Sequence, residues 1–272
     1  MVPTANVITL VVMSIVSFLL PIIGCVIVWR RSKASLINAL IGATIFFICY
    51  IIAVATSLLG SMLIASPVVL TLVLALRAGL VEEFGRFVAF KWMLKRRNAL
   101  GDALMYGVGH GGMEVWLVYS LTMVSNLFII VTANSGAMDM LIASAPEQAE
   151  VLNAAVDVLA KASPLYLSVG LVERIVAMAL HISLSVIVFC AVRQKKWLYL
   201  LLAIALHFLG DCSILLVVTG AVDMWTFELI LALLVVGVAI IAWRIARGYR
   251  PPCEPWETGE PPAFPTDPQP QA

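Results

Sequence analysis

The chain has 272 residues, 62% of them apolar and 12% charged, with a net charge of +1. Such a composition excludes an ordinary soluble domain, and the length exceeds what one or two spans need, so an all-α, polytopic transmembrane bundle is predicted. The basic residues form small clusters rather than one charged face, which excludes nucleic acid as a partner and leaves the lipid bilayer.

From the N-terminus, seven apolar runs fall at 5–28, 36–59, 67–90, 100–131, 165–192, 197–219 and 223–245. Each is near the roughly 20 residues that a helix needs to cross the bilayer core. The first has no basic region before it and no small-residue cleavage pattern after it, so it reads as a retained span and not a signal peptide. Between the runs lie WRRSK at 29–33, KWMLKRR at 91–97, RQKK at 193–196 and WRIARGYR at 243–250, which hold 13 of the 17 basic residues. With seven alternating spans all four clusters share one side, which predicts an N-terminus outside and a cytoplasmic C-terminus. Trp29, Trp92, Trp197 and Trp243 sit beside these clusters, as indoles anchored at headgroup level do.

The connection at 132–164 is predicted to be external. Within it Val151, Ala155, Val158 and Leu159 recur at helical spacing opposite Glu147, Gln148, Glu150, Asp157 and Lys161, which predicts a short amphipathic helix on the outer interface. Residues 1–250 thus form one transmembrane domain, and the proline-rich stretch 251–272 is expected to be a disordered cytoplasmic tail. Cys25, Cys49, Cys190, Cys212 and Cys253 show no CxxC pair, so neither a disulfide nor a zinc knuckle is expected.

Against this apolar background the third to sixth spans carry polar stripes. Residues four apart share a helix face, and Glu82 with Arg86, His110 with Glu114, and His207 with Asp211 are such pairs. The fifth span adds Arg174, His181 and Ser185 at intervals of seven and four. Counted from the basic flanks, Glu82 is nine residues from Lys91, His110 thirteen from Arg97, His181 twelve from Arg193 and His207 eleven from Lys196. At 1.5 Å per residue these depths are about 14–20 Å, so Glu82 and all three histidines share one level. Ionisable groups inside a membrane are costly and concentrate at functional sites. Two adjacent carboxylates, Glu82 and Glu83, resist joint ionisation, and Arg86 beside them suits the pair to holding one carboxylate ready for a proton. Gly107, Gly109, Gly111 and Gly112 clear space around His110 for a backbone, a water or an extended peptide, or else serve close helix packing. For Arg77 and Glu173 an ion pair between helices is expected.

EEFGR at 82–86, YGVGH at 106–110 and HFLGD at 207–211 resemble the three signatures of the glutamate-type intramembrane proteases that include the CAAX-processing endopeptidases. More closely, the arrangement resembles the YhfC family of bacterial membrane proteins. The arginine comes one residue earlier than in the CAAX-processing pattern, Tyr106 stands in place of phenylalanine, and Asp211 closes the last signature. The resemblance implies an intramembrane endopeptidase of the bacterial cytoplasmic membrane, acting on a peptide or membrane-protein substrate reached from the cytoplasmic half. It implies that Glu82 with His110 activates water and that His207 with Asp211 serves the oxyanion, with Glu83 and Arg86 orienting them. Glu114 and His181 join the site by position and depth. No cofactor is expected on this reading. Zinc held by His110, His181 and His207 with a glutamate stays open, as do a proton or ion path and a non-catalytic scaffold.

Overall fold

The computed structural model describes residues 1–251, so the proline-rich tail beyond Pro251 lies outside the described residues. Among the described residues the chain is all-helical: α1 Thr4–Ser32, α2 Leu36–Leu63, α3 Pro67–Val88 with a wider π turn to Met93, α4 Leu100–Glu114, a π turn Val115–Ser120, and α5 Leu121–Asn134. The connection after α5 holds α6 Met138–Ser144 and α7 Ala149–Lys161, followed by α8 Pro164–Arg193, α9 Trp197–Cys212, the single turn α10 Leu215–Val218, and α11 Met224–Arg247. Local chemistry sets the starts. Ser35, Ser66, Ser163 and Asp223 each accept a hydrogen bond from a first-turn amide, and Pro67 and Pro164 occupy the first turns of α3 and α8.

Six helical stretches among the described residues are long and apolar enough to cross a membrane, α4 to α5 counting as one. The remaining expected run, 67–90, became α3, which has 22 residues but carries Arg77, Glu82, Glu83 and Arg86. It turns the face bearing Glu83 and Arg86 inward, against α2 and α9, and leaves Leu72, Leu76, Leu80 and Phe84 exposed on the other.

The hub is α4, packed against α1, α2 and α8. A Cβ on Gly109 would lie 1.9 Å from the Ala39 carbonyl oxygen, and one on Gly42 would lie 2.2 Å from that of Tyr106, so α2 and α4 meet backbone to backbone. Gly107 and Gly111 likewise face α8, and Gly112 faces Pro21 of α1. All four glycines around His110 therefore serve helix packing, and neighbouring helices fill the space they leave.

At the basic end the bundle is sealed. Phe90, Tyr106, Leu184, Ile187 and Phe189 are fully buried, with Phe90 tilted against Tyr106 and edge-on to Phe189 at centroid distances of 4.7 and 5.5 Å. Arg193 donates to the carbonyls of Phe90, Leu94 and Arg97, satisfying the end of the π turn, and Tyr249 donates to the Asn98 carbonyl at 2.8 Å. At the other end Asn6 of α1 donates to the carbonyls of Leu159 and Ala162 at 2.8 and 2.9 Å, pinning α7 to the bundle. The amphipathic helix forms as predicted, but its inward face centres on buried Leu159 with Val156 and Ala160, while Val151 and Val158 point away. The Asn6 clamp sets that rotation.

Gly109→Ala is expected to lower stability by about 1–3 kcal/mol through overpacking, outweighing the roughly 1 kcal/mol gain in helix propensity. Gly237→Ala, whose Cβ would meet nothing within 4 Å, is the neutral or stabilising control. Thermal unfolding in detergent reads both.

Candidate active site

Glu82 and Glu83 come from the last turns of α3, His110 from α4, His181 from the middle of α8, and His207 and Asp211 from α9. The four helices bring them together at one level, as the sequence depths predict. His110 Nε2 lies 3.0 Å from Glu82 Oε2, while His181 Nδ1 and His207 Nε2 each lie 4.0 Å from that same oxygen. All three imidazoles are buried, and Phe46 of α2 packs its ring edge-on against His110 at 5.1 Å. No spacing in the sequence singles out Phe46. Tyr106 is fully buried between Phe90 and His110.

The same-helix pairs rearrange across helices. Arg86, fully buried, bonds Glu83 and not Glu82, and its second nitrogen contacts His181 Nδ1. Glu114 turns away from His110 to meet His181 Nε2 and Arg174 of α8. His207 Nδ1 bonds Glu83 Oε1 at 2.6 Å, whereas Asp211 Oδ2 stands 3.6 Å from His207 Nε2. Residues i and i+4 project side by side toward the neighbouring helix, so partners on that helix claim them first. Arg174 also pairs with its neighbour Glu173, and Arg77 has no ion pair among the described residues, so the interhelical pair expected for Arg77 and Glu173 does not form.

Two parallel relays result: Arg86–Glu83–His207 and Arg174–Glu114–His181. In each, a guanidinium holds a buried carboxylate, and the carboxylate takes one imidazole nitrogen. This arrangement offsets the cost of removing the charges from water. It also fixes the ring, so that the other nitrogen of each imidazole faces Glu82. Arg174 lies seven residues before His181, a signal visible in the sequence, although its partner Glu114 is not.

The donors fit a divalent metal. Glu82, His181 and His207 each offer one ligand atom, all within 4.8 Å of one another. A carboxylate with two imidazoles, each held from behind by a buried carboxylate, has the chemistry of a zinc centre with its supporting layer. A cation there would compete with Arg86 for the lone pair on His181 Nδ1.

A family model described as YhfC intramembrane metalloprotease matches residues 16–231, a stretch that contains every residue of this site. The uncharacterized membrane protein YhfC of Bacillus subtilis (strain 168) is 30% identical over 233 residues, covering 82% of this chain and 89% of the relative. No solved structure matches.

Glu114→Ala leaves His181 Nε2 without its partner in the interior and Arg174 with Glu173 alone, and is expected to cost roughly 1–3 kcal/mol of stability. Glu173→Ala, at a side chain 35% exposed, should cost about 1 kcal/mol or less. Denaturant unfolding in micelles separates the two.

Proposed function

The chain belongs to the YhfC family, and from that premise we propose that this integral membrane protein is an intramembrane metallopeptidase that hydrolyses a peptide bond in or beside the bilayer. Counting α3, it crosses the membrane seven times, with the four basic clusters cytoplasmic. One observation carries the reading: three imidazole nitrogens from three helices surround a single carboxylate oxygen, Glu82 Oε2, at 3.0, 4.0 and 4.0 Å.

Glu82, His181 and His207 would hold the metal, with zinc the ion their donor types favour. Bound there, zinc would supply Lewis acidity, activating water near neutral pH and polarising the scissile carbonyl. The protein's own part is to fix protons and orientation. Glu83 takes the proton side of His207 at Nδ1, and Glu114 that of His181 at Nε2, so the opposite nitrogens present lone pairs to the centre. His110 holds its Nε2 proton against Glu82, placing an imidazole where it can pass a proton to a departing amine. Asp211 stands at the edge of the centre, within reach of a substrate amide or water beside His207. The aromatic seal at the basic end keeps bulk water out from that side, which strengthens every charge interaction inside.

The 3.0 Å contact between His110 and Glu82 favours a second reading, in which that pair activates water without a metal. Metal content decides between the two. Purified protein is expected to carry roughly one zinc per chain, as a single three-donor centre holds, and Glu82→Ala, His181→Ala and His207→Ala should lose it. His110→Ala should keep the metal while turnover falls by about 10²-fold or more. Elemental analysis reads the first, and comparison of N-terminal peptides from wild-type and Glu82→Gln membranes reads cleavage. Hydrolysis by metal-free protein that survives chelation would replace the zinc reading with the Glu82–His110 one.

A further inference from the structure

A cavity of about 240 Å³ reaches the centre between α8, α9 and α11, and its walls include both His181 and Asp211. Its other lining residues all lie toward one end of the bundle. On α8 they run from His181 back to Arg174 and Glu173, on α9 and the break after it forward from Gly210 to Ile214, and on α11 from Val235 back to Phe227. Because α8 and α11 run antiparallel to α9, these directions coincide: every wall extends away from the basic clusters. Glu173 is twenty residues before Arg193, about 30 Å along the helix, which is the full thickness of a hydrocarbon core. Its side chain is also the most exposed of the Glu114–Arg174–Glu173 group, at 35%. On the opposite side of the histidines stands the seal of Phe90, Tyr106 and Phe189, closed over by the Arg193 clamp.

The geometry points to a substrate subsite in this cavity, reached from the face opposite the basic clusters and occupied by an extended polypeptide segment presented there. This differs from the expectation of access through the cytoplasmic half, and it rests on the peptidase reading above. The walls suit such an occupant. A segment unwound at membrane depth brings unpaired amide N–H and C=O groups that need partners, and Glu114, Arg174 and Asp211 offer them, while Phe227, Leu231 and Val235 take apolar side chains. The volume is below the roughly 300–1,000 Å³ of pockets that enclose drug-sized ligands, so it receives the backbone around one peptide bond and not a folded element. The helical break between Cys212 and Leu215, where α9 gives way to α10, lies on this wall directly after Asp211.

Thiol accessibility tests the route without requiring turnover. Full-length protein with Cys25, Cys212 and Cys253 replaced by alanine keeps only Cys49 and Cys190, both buried. Into it goes Ile214→Cys, or Leu231→Cys if that chain does not fold, with Lys196→Cys as the reference for the basic face. A charged, membrane-impermeant maleimide is applied to intact cells and to inverted vesicles. The cavity cysteine is expected to react from the face that leaves Lys196→Cys unlabelled. Labelling from the Lys196 face, or from neither face while Lys196→Cys reacts, would overturn the proposal. Labelling as expected in a chain without peptidase activity would keep the route and remove the reading it serves.

Discussion

The bond between Arg86 and Glu83, both fully buried, is the constraint from which the rest of the site follows. Neither charge is tolerable alone at membrane depth, where no water can compensate it. Together they form a fixed anionic edge on α3, and that edge takes His207 from α9. The same construction repeats across the bundle with Arg174, Glu114 and His181. Glu82, adjacent to Glu83 yet free of either guanidinium, is left as the carboxylate that all three imidazoles face. Charge pairing thus decides which glutamate is structural support and which is available for chemistry.

Short side chains from four helices can meet at one oxygen only if the helices themselves come close. That is the part played by α4. Its glycines let α2 and α8 approach backbone to backbone, so His110 reaches Glu82 on α3 while remaining in ring contact with His181, 5.2 Å away. A hub of ordinary side chains would hold the helices apart by the thickness of a methyl or more and dissolve the constellation.

Much of this was legible in the sequence. The apolar runs became helices with small shifts at their ends, because serine and aspartate caps and first-turn prolines mark the starts. The shared depth of Glu82 and the three histidines followed from counting residues to the basic flanks, and it holds in three dimensions. What could not be read was which partner each side chain takes. The i,i+4 pairs Glu82 with Arg86 and His110 with Glu114 shared a face as expected, yet each member bonds across a helix boundary or to a different neighbour. Tertiary packing settles that choice, and one sequence does not encode it locally. The glycines around His110 read equally as open space or as contact until the facing backbones were located. Phe46 carries no mark at all, being one aromatic among many in a greasy helix.

The clamp from Asn6 onto the carbonyls of Leu159 and Ala162 joins parts of the chain more than 150 residues apart. Synthesis proceeds from the N-terminus and early elements settle first. The first helix therefore enters the lipid with an amide whose partners the ribosome has not yet made. Until α7 arrives, Asn134 of α5, bonded to the Val2 backbone, ties down that end of α1; the Asn6 clamp closes after α3 to α5 are made and before α8, α9 and α11 are complete.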